Sequence, residues 1–85
     1  MKPIRFREPH CSRRMRQRGS NRREASLVLR SGKRRQATGG RLRAELVFPY
    51  NRIWMGRMYR RKKVRVYFSE NDVILVHTVL VFYLR

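Results

Sequence analysis

The chain has 85 residues, 23 Lys or Arg against five Asp or Glu, a formal charge of +18 and 41% apolar residues. That describes one small domain, 1–85, with a thin core and enough self-repulsion to need a polyanion or an acidic protein as company. A single cysteine excludes an internal disulfide and cysteine-rich zinc modules, and five scattered carboxylates argue against a two-metal nuclease.

The charged first ten residues lack the apolar stretch of a secretory signal, and no apolar run reaches the ~20 residues a membrane helix needs. A cytoplasmic protein is expected. Pro9 suits the first position of a helix running to Arg18, which Gly19 stops. Ser20 or Asn21 can cap a second helix, with Glu24 in its first turn and Ala25, Val28 and Leu29 as its apolar stripe. Ser31-Gly32 ends it. Period two follows. Lys33 to Thr38 reads as an edge strand, and Gly39-Gly40 as a hairpin turn. Arg41 to Phe48 alternates, Pro49-Tyr50-Asn51 breaks the run, and Arg52 to Tyr59 forms a separate strand containing Trp54. Lys63 to Phe68 alternates again, Ser69 to Asp72 turns, and Val73 to Leu84 is apolar on both faces, as a covered central strand would be. The order implies an α+β fold: two N-terminal helices packed on one face of a four- to five-stranded antiparallel sheet.

Aligned by alternation, one sheet face collects Leu42, Leu46, Phe48, Val64, Val66, Phe68, Ile74, Val76, Leu80 and Phe82, the expected core. The other collects Arg41, Arg43, Lys63, Arg65, Tyr67, His77 and Tyr83. Cations interleaved with aromatic rings suit single-stranded RNA, where phosphates are neutralised and bases stack. On the first helix His10, Arg14 and Arg18 fall at i, i+4 and i+8 along one face, able to grip phosphate. Cys11 and Met15 read as small core contacts. No ligand spacing for a metal is present, and no cofactor is implied.

From His10 the chain reads His-Cys-Ser-Arg-Arg-Met-Arg-Gln-Arg-Gly, ending at Gly19. This resembles the opening helix, His-x-x-x-Arg-Met-x-x-Arg-Gly, of a family of small bacterial domains. Leu29-Arg30-Ser31-Gly32 is similar to that family's Leu-x-x-Gly, and Val76-His77-Thr78-Val79 with Phe82-Tyr83 resembles its valine-rich last strand. The family looks related to the BrnT branch of the RelE-like toxins. The resemblance implies a RelE-like fold, metal-independent RNA cleavage and an acidic antitoxin partner, and it points to His10, Arg14 and Arg18 as motif positions. It supplies no matched set on the strands. Ser20 stands where the family has isoleucine, residues 48–61 match poorly, and the high arginine content points toward binding without cleavage.

The residue types suit attack of a 2′-OH on the adjacent phosphate. Histidine moves protons near neutral pH, and arginine steadies the developing charge. The catalytic candidates are therefore His10, Arg14, Arg18 and His77; the nucleic-acid-binding candidates are Arg41, Arg43, Lys63, Arg65, Tyr67 and Tyr83. Three readings remain open at this point: a toxin-type ribonuclease acting on free or ribosome-bound RNA, a non-catalytic RNA- or DNA-binding protein such as a ribosome-associated one, and a basic module for an acidic protein. The apolar last strand leaves room for a homodimer without requiring one.

Overall fold

The computed structural model describes residues 2–85. In chain order it contains β1 (Ile4–Phe6), α1 (His10–Arg18), α2 (Arg22–Ser31), β2 (Lys33–Gln36), a 3-10 turn (Thr38–Gly40), β3 (Leu42–Trp54), β4 (Arg57–Glu70) and β5 (Ile74–Leu84). The five strands form one sheet in the order β1-β5-β4-β3-β2, with both helices against one face. The fold is α+β as expected, but the sheet is mixed. β1 pairs in parallel with β5 through Ile4↔Ile74 and Phe6↔Val76. Three residues among charges carry too short an alternation to read as a strand; β1 forms because Ile4 and Phe6 pack on the core beside β5.

Both helices start and stop for local reasons. The Glu8 carboxylate accepts the Ser12 backbone N–H at 3.1 Å and its hydroxyl at 2.7 Å, so Glu8 supplies a first-turn acceptor that Pro9 cannot. Gly19 ends α1 in the left-handed region, φ 83°. Asn21 caps α2, accepting the Glu24 N–H at 2.9 Å, while Ser20 is buried and donates its hydroxyl to the Glu24 carboxylate. The stripe of Ala25, Val28 and Leu29 is buried as expected, and so are Cys11 and Met15. Burial of Val28, Leu29 and Met15 contributes about 1.5–3 kcal/mol each.

Rows across the sheet show where the core sits. Leu42–Phe68–Val76, Ala44–Val66–Val79, Leu46–Val64–Val81 and Phe48–Lys62–Tyr83 face the helices. Between Tyr67↔Thr78 and Phe68↔Val76 the register slips by one residue, and His77 is the extra one. This bulge reverses the alternation of β5 from that point on. Val79, Val81 and Tyr83 therefore turn inward, and Leu80 and Phe82 outward, the opposite of the assignment from simple alternation. A second slip lies between Pro49 and Arg52, with Asn51 at φ 52°. Pro49-Tyr50-Asn51 is thus a bulge inside one long strand, not a break. The expected strand Arg52–Tyr59 instead holds a two-residue turn at Met55-Gly56, whose φ values of 51° and 81° match the hand such turns need.

Candidate functional site

The sheet face away from the helices is built from three rows. Arg35–Arg43–Tyr67–Thr78, Lys33–Glu45–Arg65–Leu80 and Val47–Lys63–Phe82 lie side by side across β2 to β5. Among the named candidates, Arg43, Lys63, Arg65 and Tyr67 share this face. Arg41 joins them at the mouth of an open cleft of about 610 Å³, lined also by Gln36, Ala37, Thr38, Arg43 and Tyr67. Phe82 is the face's aromatic platform. The Lys63 ammonium and the Arg65 guanidinium lie 5.2 and 4.8 Å from its ring centre. Alternation alone had buried this ring, and only the bulge exposes it.

The His77 corner is the most polar part of the face. Ser69 Oγ lies 2.7 Å from His77 Nε2. If the hydroxyl donates, the ring proton of the neutral imidazole sits on Nδ1. Nδ1 and Arg43 Nε are buried and, among the described residues, without a hydrogen-bond partner. A buried polar atom left unpaired costs about 1–3 kcal/mol, so this corner holds hydrogen-bonding capacity, the Arg43 Nε–H donor and the His77 Nδ1 atom, that the described residues do not use. Burial, then the positive charges of Arg41 and Arg7, push the His77 pKa below its ordinary 6.5. The Tyr67 hydroxyl accepts from Arg65 at 3.5 Å, and this bond with the nearby Arg43 lowers its pKa despite partial burial.

The sign for His77 follows from linkage. A lowered folded-state pKa means that the unfolded chain binds the proton more readily below about pH 6.5, so the contribution of His77 to stability is lost as pH falls. Replacing Arg41 by Gln removes one of the opposing charges. The His77 midpoint, followed by NMR of its ring protons, is expected to rise while staying below 6.5, because burial is the larger cause. An unchanged midpoint would show that Arg41 does not act on this ring.

The helix candidates do not join this corner. α1 packs on the other side of the sheet, with His10 and Arg14 exposed and Arg18 half-buried. His77 therefore faces away from all three, and the expected set His10, Arg14, Arg18 and His77 is divided by the sheet. Arg18 instead ties α1 to β5: its guanidinium donates to the Val79 carbonyl at 2.8 Å, and its own carbonyl accepts the Tyr83 hydroxyl at 2.7 Å. Tyr83 is thus on the helix side, not on the basic face. It stacks on Trp54 with ring centres 4.9 Å apart, touches Tyr50 and Tyr59, and burial pushes its pKa up to about 12. Beside it the buried Lys62 donates to the Gly19 carbonyl at 2.9 Å and pairs with Glu24 at 2.7 Å. The segment His10–Gly19 thus builds the joint between helix and sheet through Met15, Arg18 and Gly19.

Among the described residues no cluster of His, Cys, Asp and Glu could hold a metal ion, and no helix is long and apolar enough to cross a membrane. Sequence reasoning missed Ser69 and Phe82, the first read as part of a turn and the second as core. Compared with family models, with curated proteins and with solved structures, this chain finds no match.

Proposed function

We propose that the protein binds single-stranded RNA across the open face of its sheet. The observation that carries this reading is the row pattern: Arg35, Arg43, Lys63 and Arg65 stand in register around Tyr67 and Phe82 on a face that no helix covers. Phosphates would run along the cations while a base stacks on Phe82, and the unpaired Arg43 Nε–H would take a phosphate oxygen once that side chain swings outward. Four of the five carboxylates are already paired within the chain, with Arg22, Lys62, Arg65 and Arg34. Little negative charge is left to compete with RNA. The RelE-like relationship, a cytoplasmic setting and an acidic antitoxin as protein partner belong to the same proposal, supported by the likeness of the His10–Gly19 segment and by two helices over a sheet.

One observation favours cleavage as a second reading. The neutral His77 shares a corner with Tyr67, whose proton is loosened by arginine. His77 Nε2, once the Ser69 hydroxyl turns away from it, would take the proton of a 2′-OH, the 2′ oxygen would attack phosphorus, and the bond to the 5′ oxygen would break. Tyr67 would protonate that oxygen, leaving a 2′,3′-cyclic phosphate and a 5′-hydroxyl. Arg43 and Arg41 would steady the charge, and His10, Arg14 and Arg18 take no part.

Labelled single-stranded RNA mixed with the protein in EDTA, at low and high salt, tests both. Salt-sensitive binding supports the proposed function, and its absence overturns it. Discrete cleavage that stops in a His77→Ala variant supports the second reading; intact RNA counts against it.

A further inference from the structure

The sheet is not the only basic element. β2 stops pairing with β3 at Lys33↔Glu45, and β5 stops pairing with β4 at Leu84↔Arg61. Residues 50–60 therefore leave the sheet as a two-stranded arm at one end of a molecule 40 Å long. From Leu46 to Ser69 the chain has no acidic residue, and the arm itself carries Arg52, Arg57 and Arg60, all exposed.

The arm has two unlike sides. Trp54 and Tyr59 roll onto the helix side against Tyr83. Ile53 and Met58, a facing pair, must then point the other way, as neighbours along a strand do. They extend the open basic face, and Met55 crowns the turn. All three are bare: Ile53 is 70% exposed, Met55 81% and Met58 57%. None of the described residues covers them, and self-association through this end would bring like charges together.

We propose that this arm is a second RNA-binding element, which packs Ile53, Met55 and Met58 against the end of a base-paired stem while Arg60 on the same side, and Arg52 and Arg57 reaching round from the opposite side, hold the stem's phosphates. The inference rests on the proposed single-strand binding and deepens it: the ligand is a stem with a single-stranded extension, the extension lying on the sheet face. Apolar side chains at the tip of a basic β-ribbon can wedge against exposed base steps, where they lose water and the bases keep a stacking partner. Charge complementarity selects a polyanion. The continuity of the apolar pair with the row Lys63–Phe82 lets one RNA touch both surfaces.

The test compares three RNAs by fluorescence anisotropy: a single strand of about 12 nucleotides, a blunt duplex, and a stem-loop ending in the same single strand. The stem-loop with its extension is expected to bind at least tenfold tighter than the single strand. The triple variant Ile53→Ser, Met55→Ser, Met58→Ser should remove that gain and leave single-strand affinity within about twofold. Met55→Ser alone, at the most exposed of the three, should remove part of it. A stem that adds nothing overturns the inference while leaving the single-strand reading intact; failure of every RNA to bind overturns the single-strand reading itself. A gain that survives the triple variant overturns the role of the wedge. Vesicles of phosphatidylglycerol and phosphatidylcholine serve as the last arm, and binding to them that is lost in the triple variant, with no stem effect, would assign the tip to a membrane surface instead.

Discussion

Gly19→Ala is expected to lower the free energy of unfolding by about 3 kcal/mol, a drop in melting temperature on the order of 15 °C for a chain this short. Two costs combine. The φ of 83° lies where an L side chain is strained, by roughly 1–2 kcal/mol. The new methyl would also press on the Tyr83 hydroxyl, well inside van der Waals contact, and on the Trp54 ring at 2.9 Å. Neither can retreat freely: Tyr83 is hydrogen-bonded to the Arg18 carbonyl, and Trp54 is stacked on Tyr83. Overpacking of this kind adds about 1–3 kcal/mol. Urea unfolding of the wild type, Gly19→Ala, Tyr83→Phe and the double variant separates the parts. The double variant should recover about 1 kcal/mol relative to the sum of the singles, since the nearest clashing atom is gone. If Gly19→Ala unfolds within about 0.5 kcal/mol of the wild type, the joint between α1 and the sheet is looser than its geometry states.

That joint also shows what the sequence could and could not reveal. Gly19 was legible as a helix stop, because the helical stripe ended there, and Ala25, Val28 and Leu29 were legible as core from spacing alone. The long strands were legible through their alternation. What alternation cannot reveal is a single inserted residue. His77 sits among valines with no turn-forming neighbour, so nothing marks it as a bulge, yet it inverts the faces of every later residue in β5. Tyr83 moved from the basic face to the helix joint, and Phe82 from the core to the open face, for that one reason. Arg43, Lys63, Arg65 and Tyr67 lie between the two slips in register, where the period stays unbroken, and their shared face was read correctly. The helix set His10, Arg14 and Arg18 was a true face of α1. Spacing within a helix, however, carries no information about which side of the sheet that helix will cover.

The same geometry sets the largest expected loss in the proposed RNA binding. Arg41→Gln with Arg43→Gln removes both cations of the 610 Å³ cleft that Tyr67 also lines. If each holds one phosphate by a charge-assisted hydrogen bond worth about 1.5 kcal/mol, affinity for single-stranded RNA should fall about 100-fold. The slope of log affinity against log salt should shrink by about 1.4, the release of two counterions from a single strand. A change of two charges in +18 also weakens the general field, so the control must carry the same change elsewhere. Arg23→Gln with Arg30→Gln does this on exposed positions of α2, across the sheet from the open face. That pair should cost only a fewfold and hardly alter the slope, because distant surface charges are screened over about 8–10 Å. Equal losses in the two pairs would mean that RNA feels only the net charge, and the open face would lose its claim to be the binding site. Unequal losses, with the cleft pair far weaker, place the phosphates at the cleft of Arg41 and Arg43, where Arg43 Nε has no partner among the described residues.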